Sequence, residues 1–169
     1  VALGQQIVKP LRQMSLLENV ALASGGKKLL SPIRALMVQK RHEERELARE
    51  LLIKVGLGDD AEKLPSELPL GYLKRLEVAR ALALKPSLLL LDEPLAGLSK
   101  PEAEQMADLI SNLPRIGLSV ILIEHNLPQV QRICPTLYVQ SNGRQLAFGL
   151  TNDVMADPAV RQAYLGVGA

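Results

Sequence analysis

The stretch LLLLDEPLAGLS, residues 88 to 99, constrains the fold more than any other. Its four leucines suit a buried strand, whereas ionised carboxylates are costly in an apolar interior. Asp92 and Glu93 must therefore stand at the strand's mouth or meet a cation. Apolar residues on both faces of SLLLLD fit a parallel strand covered by helices. The next segment, SKPEAEQMADLISNL, predicts a helix. Ser99 and Glu102 have capping-box spacing there, and Ala103, Met106, Ala107, Ile110 and Leu113 form the apolar stripe. SVILIE then reads as a second buried strand, followed by His125. Two parallel strands that both end in polar groups define the kind of crevice in which open α/β sheets bind ligands.

Upstream, the pattern is helical. RHEERELARELLIKVGLG places Leu47, Leu51 and Val55 on one stripe with Ala48 and Leu52 beside it, and Glu50 and Lys54 form an i,i+4 pair. Gly56 stands where a left-handed C-cap belongs. The charge run from Lys40 to Glu46 reads as a solvated face, and ASGGKKLLSP before it as a loop. A second helix is predicted from about Gly71, aligning Leu73, Leu76, Ala79 and Ala83 and ending by Pro86. Beyond His125, NLPQVQRI reads as a short helix and TLYVQSNGRQLAFG as a hairpin around Asn142-Gly143. TNDVMADPAVRQAYLG gives two short helical pieces. The expected division is a helical part, 1–86, and an α/β part, 87–169.

Composition narrows the functional classes. At 169 residues the chain can bury a real core, and with no Trp and only 2% aromatics that core must be aliphatic. The same scarcity argues against a stacking platform for single-stranded nucleic acid. A net charge of +2 supports neither a duplex binder nor an acidic tail protein. Cys134 is the sole cysteine, which excludes an internal disulfide and a Cys-cluster metal site and suits a reducing cytosol. No apolar run approaches the ~20 residues needed to span a bilayer. The chain opens on Val1 in VALGQQIVKP, which reads like the middle of a longer sequence, so a fragment is expected.

An apolar strand ending in Asp-Glu suits phosphoryl transfer to water. Asp92 would hold Mg2+, and Glu93 would orient and deprotonate the attacking water. The bland alternative is two acids that cap a strand end on the surface. His125 has a similar alternative as a polar edge residue. In LPSELPLGYLKRLEVARALALKPS a glycine opens a helix whose start can face an anion.

Taken together, KRLEVARALALKPSLLLLDEPLAGLS, VILIEHNL and the ending VRQAYLG resemble the ATP-binding subunit of an ATP-binding cassette (ABC) transporter, above all the branched-chain amino-acid importer type. The resemblance covers essentially the whole chain and implies a P-loop NTPase-like α/β fold, a helical subdomain followed by a parallel-sheet part with a C-terminal hairpin. Gln6 resembles the Q-loop glutamine, which touches the Mg2+ site and reports nucleotide state to the membrane subunit. Pro69, Leu70, Gly71 and Tyr72 lie in the signature segment, which binds the nucleotide held by the opposite subunit. Asp92 matches the Walker B magnesium aspartate, Glu93 the catalytic base, and His125 the switch histidine. Ser99 closes the D-loop segment AGLS. The implied cofactors are ATP and Mg2+. The implied partners are a second ATPase subunit, as a homo- or heterodimer, and transmembrane permease subunits, with no nucleic acid. The implied location is cytoplasmic, peripheral on the inner face of the cell membrane, with Gln6 and the LLENV segment facing the membrane partner.

The sequence also departs from this family. In the signature, Pro69 replaces a serine, Leu70 a glycine and Tyr72 a glutamine, and proline offers neither N–H nor hydroxyl. The helix N-terminus is expected to survive, with the N–H groups of Gly71 and its successors and the local dipole. Gln5 stands where an aromatic is usual, and Ser99 where Asp or Asn is common. No G-x-x-x-x-G-K-[S/T] phosphate loop occurs; Gly26-Lys27 fails the pattern because position 28 is Lys. The chain alone is therefore expected to be inactive, and ATP hydrolysis to belong to the complete protein. Without leading strands and a phosphate-loop helix, the sheet should expose apolar faces and an unpaired edge. A different class, a non-catalytic degenerate cassette acting as an interaction module, fits the altered signature but leaves the intact acid pair unexplained. A chromosome-maintenance ATPase head is disfavoured, because the roughly sixty residues between Gln6 and Gly71 cannot hold a long coiled-coil arm.

Overall fold

The computed structural model describes residues 2–4, 10–25 and 39–165. Gln5, Gln6, Gly26 and Lys27 lie outside them. The chain divides into two compact units, Val1–Glu124 and His125–Ala169.

In the first unit, β1 (Ala2–Gly4), β2 (Leu88–Asp92) and β3 (Ser119–Ile123) form a parallel sheet in the order β1-β2-β3. Leu89 faces Ala2 on one side and Val120 on the other, and Asp92 pairs with Ile123. Leu89 and Leu91 are buried, while Leu88 and Leu90 on the opposite face are half-buried. The prediction of β3 as a second buried strand is corrected. Its residues alternate between exposed and half-buried, and Ile121 and Ile123 are 50% and 58% exposed. Among the described residues only β2 pairs with it, and Ile121 and Ile123, which share one face of the strand, stand exposed there.

Helices α1 (Leu16–Gly25), α2 (Gln39–Lys54) and α3 (Leu70–Ala83) pack together around Leu16, Leu17, Leu52, Leu57 and Leu76, all fully buried. Along α2 the stripe centres on Ala48, Leu51, Leu52 and, just beyond the helix, Val55, as the spacing predicts. Gly56 follows with φ 74, and its N–H bonds the Ile53 carbonyl, which makes the expected left-handed stop.

The LLENV segment differs from expectation. Leu16, Leu17, Asn19 and Val20 face inward, leaving Glu18 as its exposed residue. Buried Asn19 explains why. Its amide donates to the carbonyls of Leu11, Met14 and Ser15 at 3.1, 3.1 and 2.9 Å, and its Oδ1 accepts from Leu11 N–H at 2.9 Å. One side chain thus fixes the loop ahead of α1, and the outward-facing apolar groups there are Leu11 and Met14. Between β2 and β3, α4 (Lys100–Asn112) buries Ala103, Met106, Ala107 and Ile110, the predicted stripe, and Leu113 just beyond it is buried too.

The second unit contains α5 (Leu127–Ile133), the hairpin β4 (Thr136–Ser141) and β5 (Arg144–Leu150), then α6 (Thr151–Ala156) and α7 (Pro158–Leu165). Asn142 and Gly143 have φ 49 and 75, the paired positive values that a two-residue hairpin turn requires. Val139, Val154 and Val160 make its small core against Leu137, Leu146 and Ala147.

Candidate functional site

The acid pair stands at the C-terminal mouth of β2. Asp92 is the strand's last residue, and the N–H of Glu93 donates to the Ile123 carbonyl at 2.9 Å, extending the ladder by one bond. Both acids are half-buried. Glu93 has φ 46, a left-handed conformation uncommon for a residue with a Cβ. That conformation turns the chain sharply out of the sheet. Within the turn, Ala96 N–H bonds the Glu93 carbonyl and Leu98 N–H bonds the Leu95 carbonyl, while Gly97 takes φ 73.

Two side chains from elsewhere in the first unit hold this turn. Lys74, on α3, donates from Nζ to the carbonyls of Glu93 at 3.0 Å and Ala96 at 2.6 Å. Glu124, just past β3, accepts from the Leu95 N–H at 2.7 Å through Oε1. Lys74 is only 8% exposed. Burial pushes its pKa below the ordinary lysine value, opposed by the negative charges of Glu124 and Glu93. Sequence reasoning missed Lys74. The available signal was its place on the row Gly71, Lys74, Val78, Leu82, which is otherwise small or apolar and is buried throughout.

The segment read from the sequence as the signature, around Pro69 to Tyr72, is simpler. Pro69 is the N-cap of α3 and supplies no side-chain bond; its carbonyl accepts from the N–H groups of Tyr72 and Leu73 at 3.1 and 3.3 Å. Two of the N–H groups expected to remain for an anion are therefore engaged within the helix's own first turn. Leu70 is 43% exposed, and its Cδ2 would lie 3.2 Å from a Cβ placed on Gly97. Gly71 is buried against Glu102, whose Oε1 would stand 2.7 Å from a Cβ at that position. The Glu102 carboxylate also accepts from the N–H of Ser99 at 2.9 Å and from its hydroxyl at 2.5 Å. These bonds from Ser99, hydroxyl first, hold the Glu102 pKa below the ordinary carboxylate value. Ser99 thus serves α4 as a cap, the bland role open to it from sequence. Tyr72 lies under the Arg75 guanidinium, 5.5 Å from its ring centroid.

The first unit brings the Leu70–Tyr72 segment together with the 97–102 segment and, through Lys74, ties α3 to the acid-bearing turn. His125 is the exposed first residue of the second unit, where its carbonyl accepts from Leu127 N–H at 3.0 Å. Among the described residues no three His, Cys, Asp or Glu side chains converge as a metal cluster. One or two carboxylates at a strand mouth nonetheless fit Mg2+, which keeps several waters and takes phosphate oxygens as further ligands. A cleft of about 420 Å3 lies elsewhere in the first unit, lined by Lys54, Val55, Arg75, Gln105, Leu109 and Leu113 among others, none of them a predicted site residue.

The family model for the ABC transporter matches residues 1–96. The chain belongs to the ABC transporter family. It is 32% identical over 163 residues to a probable branched-chain amino acid transport ATP-binding protein LivG of Archaeoglobus fulgidus, covering 95% of this chain and 63% of that protein. It is 35% identical over 155 residues to the lipopolysaccharide export system ATP-binding protein LptB of Acidithiobacillus ferridurans, covering 92% and 60%. Among solved structures it superposes with a TM-score of 0.80 and 30% identity on the ADP conformation of MJ1267, an ATP-binding cassette of an ABC transporter, over 98% of this chain and 68% of that one. The ABC ATPase fold expected from sequence is therefore the fold of this chain. The chain spans less than two thirds of the length of the curated relatives it matches. No helix among the described residues is long and apolar enough to cross a membrane.

Proposed function

We propose that this chain is part of the ATP-binding, ATP-hydrolysing energy-coupling subunit of an ABC importer, of the branched-chain amino-acid type. The observation that carries this reading is the Asp92-Glu93 pair, fixed at the mouth of β2 with Glu93 in a left-handed conformation. A surface cap would need no such conformation, which is worth about 1–3 kcal/mol of strain.

In the complete subunit Asp92 would hold Mg2+ at the strand's end. Bound there, the ion would neutralise charge developing on the phosphate oxygens. Glu93 would orient a water and accept its proton on the side-chain carboxylate. Gln6 would reach the Mg2+ site, and His125 would contact the terminal phosphate. Pro69, Leu70, Gly71, Tyr72 and Ser99 would line the surface presented to a nucleotide on a second ATPase subunit. Permease subunits would complete the assembly at the inner face of the cell membrane, with Leu11 and Met14 offering exposed apolar contact. A functional division at 86/87 would set the signature-bearing part against the part with the acid pair, both reaching into the first compact unit. Alone, the chain has no phosphate loop and would not hydrolyse ATP. The cargo rests on likeness to LivG; the LptB relative names a different cargo, so genes neighbouring this one are the direct check.

A second reading, a non-catalytic interaction module, has one observation in its favour: α3 starts at Pro69 without a side-chain cap, and the N–H groups of Tyr72 and Leu73 are bonded to the Pro69 carbonyl. The natural full-length product separates the two. ATP hydrolysis that Glu93→Gln abolishes supports the enzyme and removes the module. A full-length product with no phosphate loop, or with no hydrolysis, removes the enzyme.

A further inference from the structure

Lys74 is unusual for a lysine in being buried with its ammonium on two main-chain carbonyls of a distant turn. A buried cation needs full compensation. Here that compensation is directed at one feature, the left-handed Glu93 and the turn behind it. The Glu93 carbonyl accepts both from Lys74 and from the Ala96 N–H, so the ammonium sits on the same oxygen that closes the turn. On the other side, Glu124 takes the Leu95 N–H, and its charge and that of Glu93 favour the protonated ammonium. Lys74 also lies one helical turn from Gly71 and Leu70, at the start of α3. The same start touches the turn a second time, through Leu70 against Gly97.

We propose that Lys74 is a positioning residue that locks the main chain of Glu93 in its left-handed conformation and ties the setting of the general base to the start of α3. The proposal deepens the ATPase reading and rests on it for the role of Glu93. The lock itself is a property of this chain and can be measured without nucleotide.

Two measurements decide it. In native-state hydrogen exchange, Lys74→Met should raise exchange at the amides of Leu95 and Ala96 by about tenfold or more while the β2 amides stay protected. Lys74→Arg should restore much of that protection, and a melting curve shows whether each variant is folded. In the natural full-length product, Lys74→Met should lower kcat for ATP by roughly tenfold to a hundredfold with KM little changed, since a base displaced by about 1 Å costs on that order. Lys74→Arg should recover part of the loss. Unchanged exchange, or exchange raised equally throughout a folded variant, overturns the lock. Local exchange with unchanged kcat overturns the positioning role. A wild-type product that does not hydrolyse ATP defeats the ATPase reading and with it any role in positioning a base; the exchange result then decides the lock by itself.

Discussion

The turn after β2 and the start of α3 are neighbours in the first unit, and they are held in opposite ways. The turn at 93–98 is clamped by side chains distant in sequence, with Lys74 on two carbonyls and Glu124 on an amide. The start of α3 is closed by its own backbone, with the Pro69 carbonyl taking two amides and no side-chain cap. The turn that carries the acid pair is thus the region with non-local hydrogen-bond support. The start of α3 is closed by local hydrogen bonds, and its contacts with distant residues, Gly71 with Glu102 and Leu70 with Gly97, are packing contacts. A conformation that strains a Glu needs help from elsewhere in the fold, whereas a helix start after proline forms from near-neighbour contacts alone.

The contrast predicts a ranked set of effects. Glu124→Ala should have the largest. It leaves the amide of buried Leu95 without its acceptor and should cost about 1–3 kcal/mol in urea unfolding. A loss no larger than that of an exposed substitution would mean that the turn does not depend on its clamp.

Pro69→Ser should act in the other direction and more weakly. The N-cap residue has φ −68 and ψ 164, which serine adopts freely, and its hydroxyl can take an amide that proline leaves uncapped. The gain should stay below about 1 kcal/mol, since the freed unfolded chain offsets part of it. Destabilisation instead would show that proline's rigidity, rather than a missing cap, sets the start of α3.

Glu102→Gln should have the smallest effect, legible mainly in its pH dependence. The folded pKa of Glu102 lies below its unfolded value. Its contribution is therefore present above the unfolded carboxylate pKa and is lost as pH falls through the folded one. The difference in Tm between wild type and variant should shrink on acidification below the ordinary carboxylate range. A difference constant across that range would remove Ser99 as the cause of the shift.

Much of this is legible in the sequence because it is governed by near neighbours. Periodicity locates α2, α3 and α4 and the buried stripe of α4; on α2 and α3 it gives part of the buried set, with Leu47 and Leu73 only half-buried and the row Gly71, Lys74, Val78, Leu82 unforeseen. The Asn142-Gly143 turn follows from the positive φ that the hairpin demands. The acid pair's place at the strand mouth follows from the cost of burying charge. What escapes has one cause in common. β1 is three residues long, too short for any pattern, and exists through pairing with β2. The LLENV segment reads as a partner face, yet Asn19 has its polar atoms consumed by a loop eight residues back.

The sequence by itself determined most of the longer helices and strands, though not β1 or α1, and that two carboxylates end the central strand, since propensity, spacing and desolvation act over a few residues. Only the tertiary structure decided which residues of the sheet are exposed, Ile121 and Ile123 on β3 among the described residues. It alone showed that Gly71 is pressed by Glu102, and that a lysine nineteen residues away fixes the main chain of Glu93. Each of these depends on which surfaces meet when the chain closes on itself, and no local pattern records that meeting.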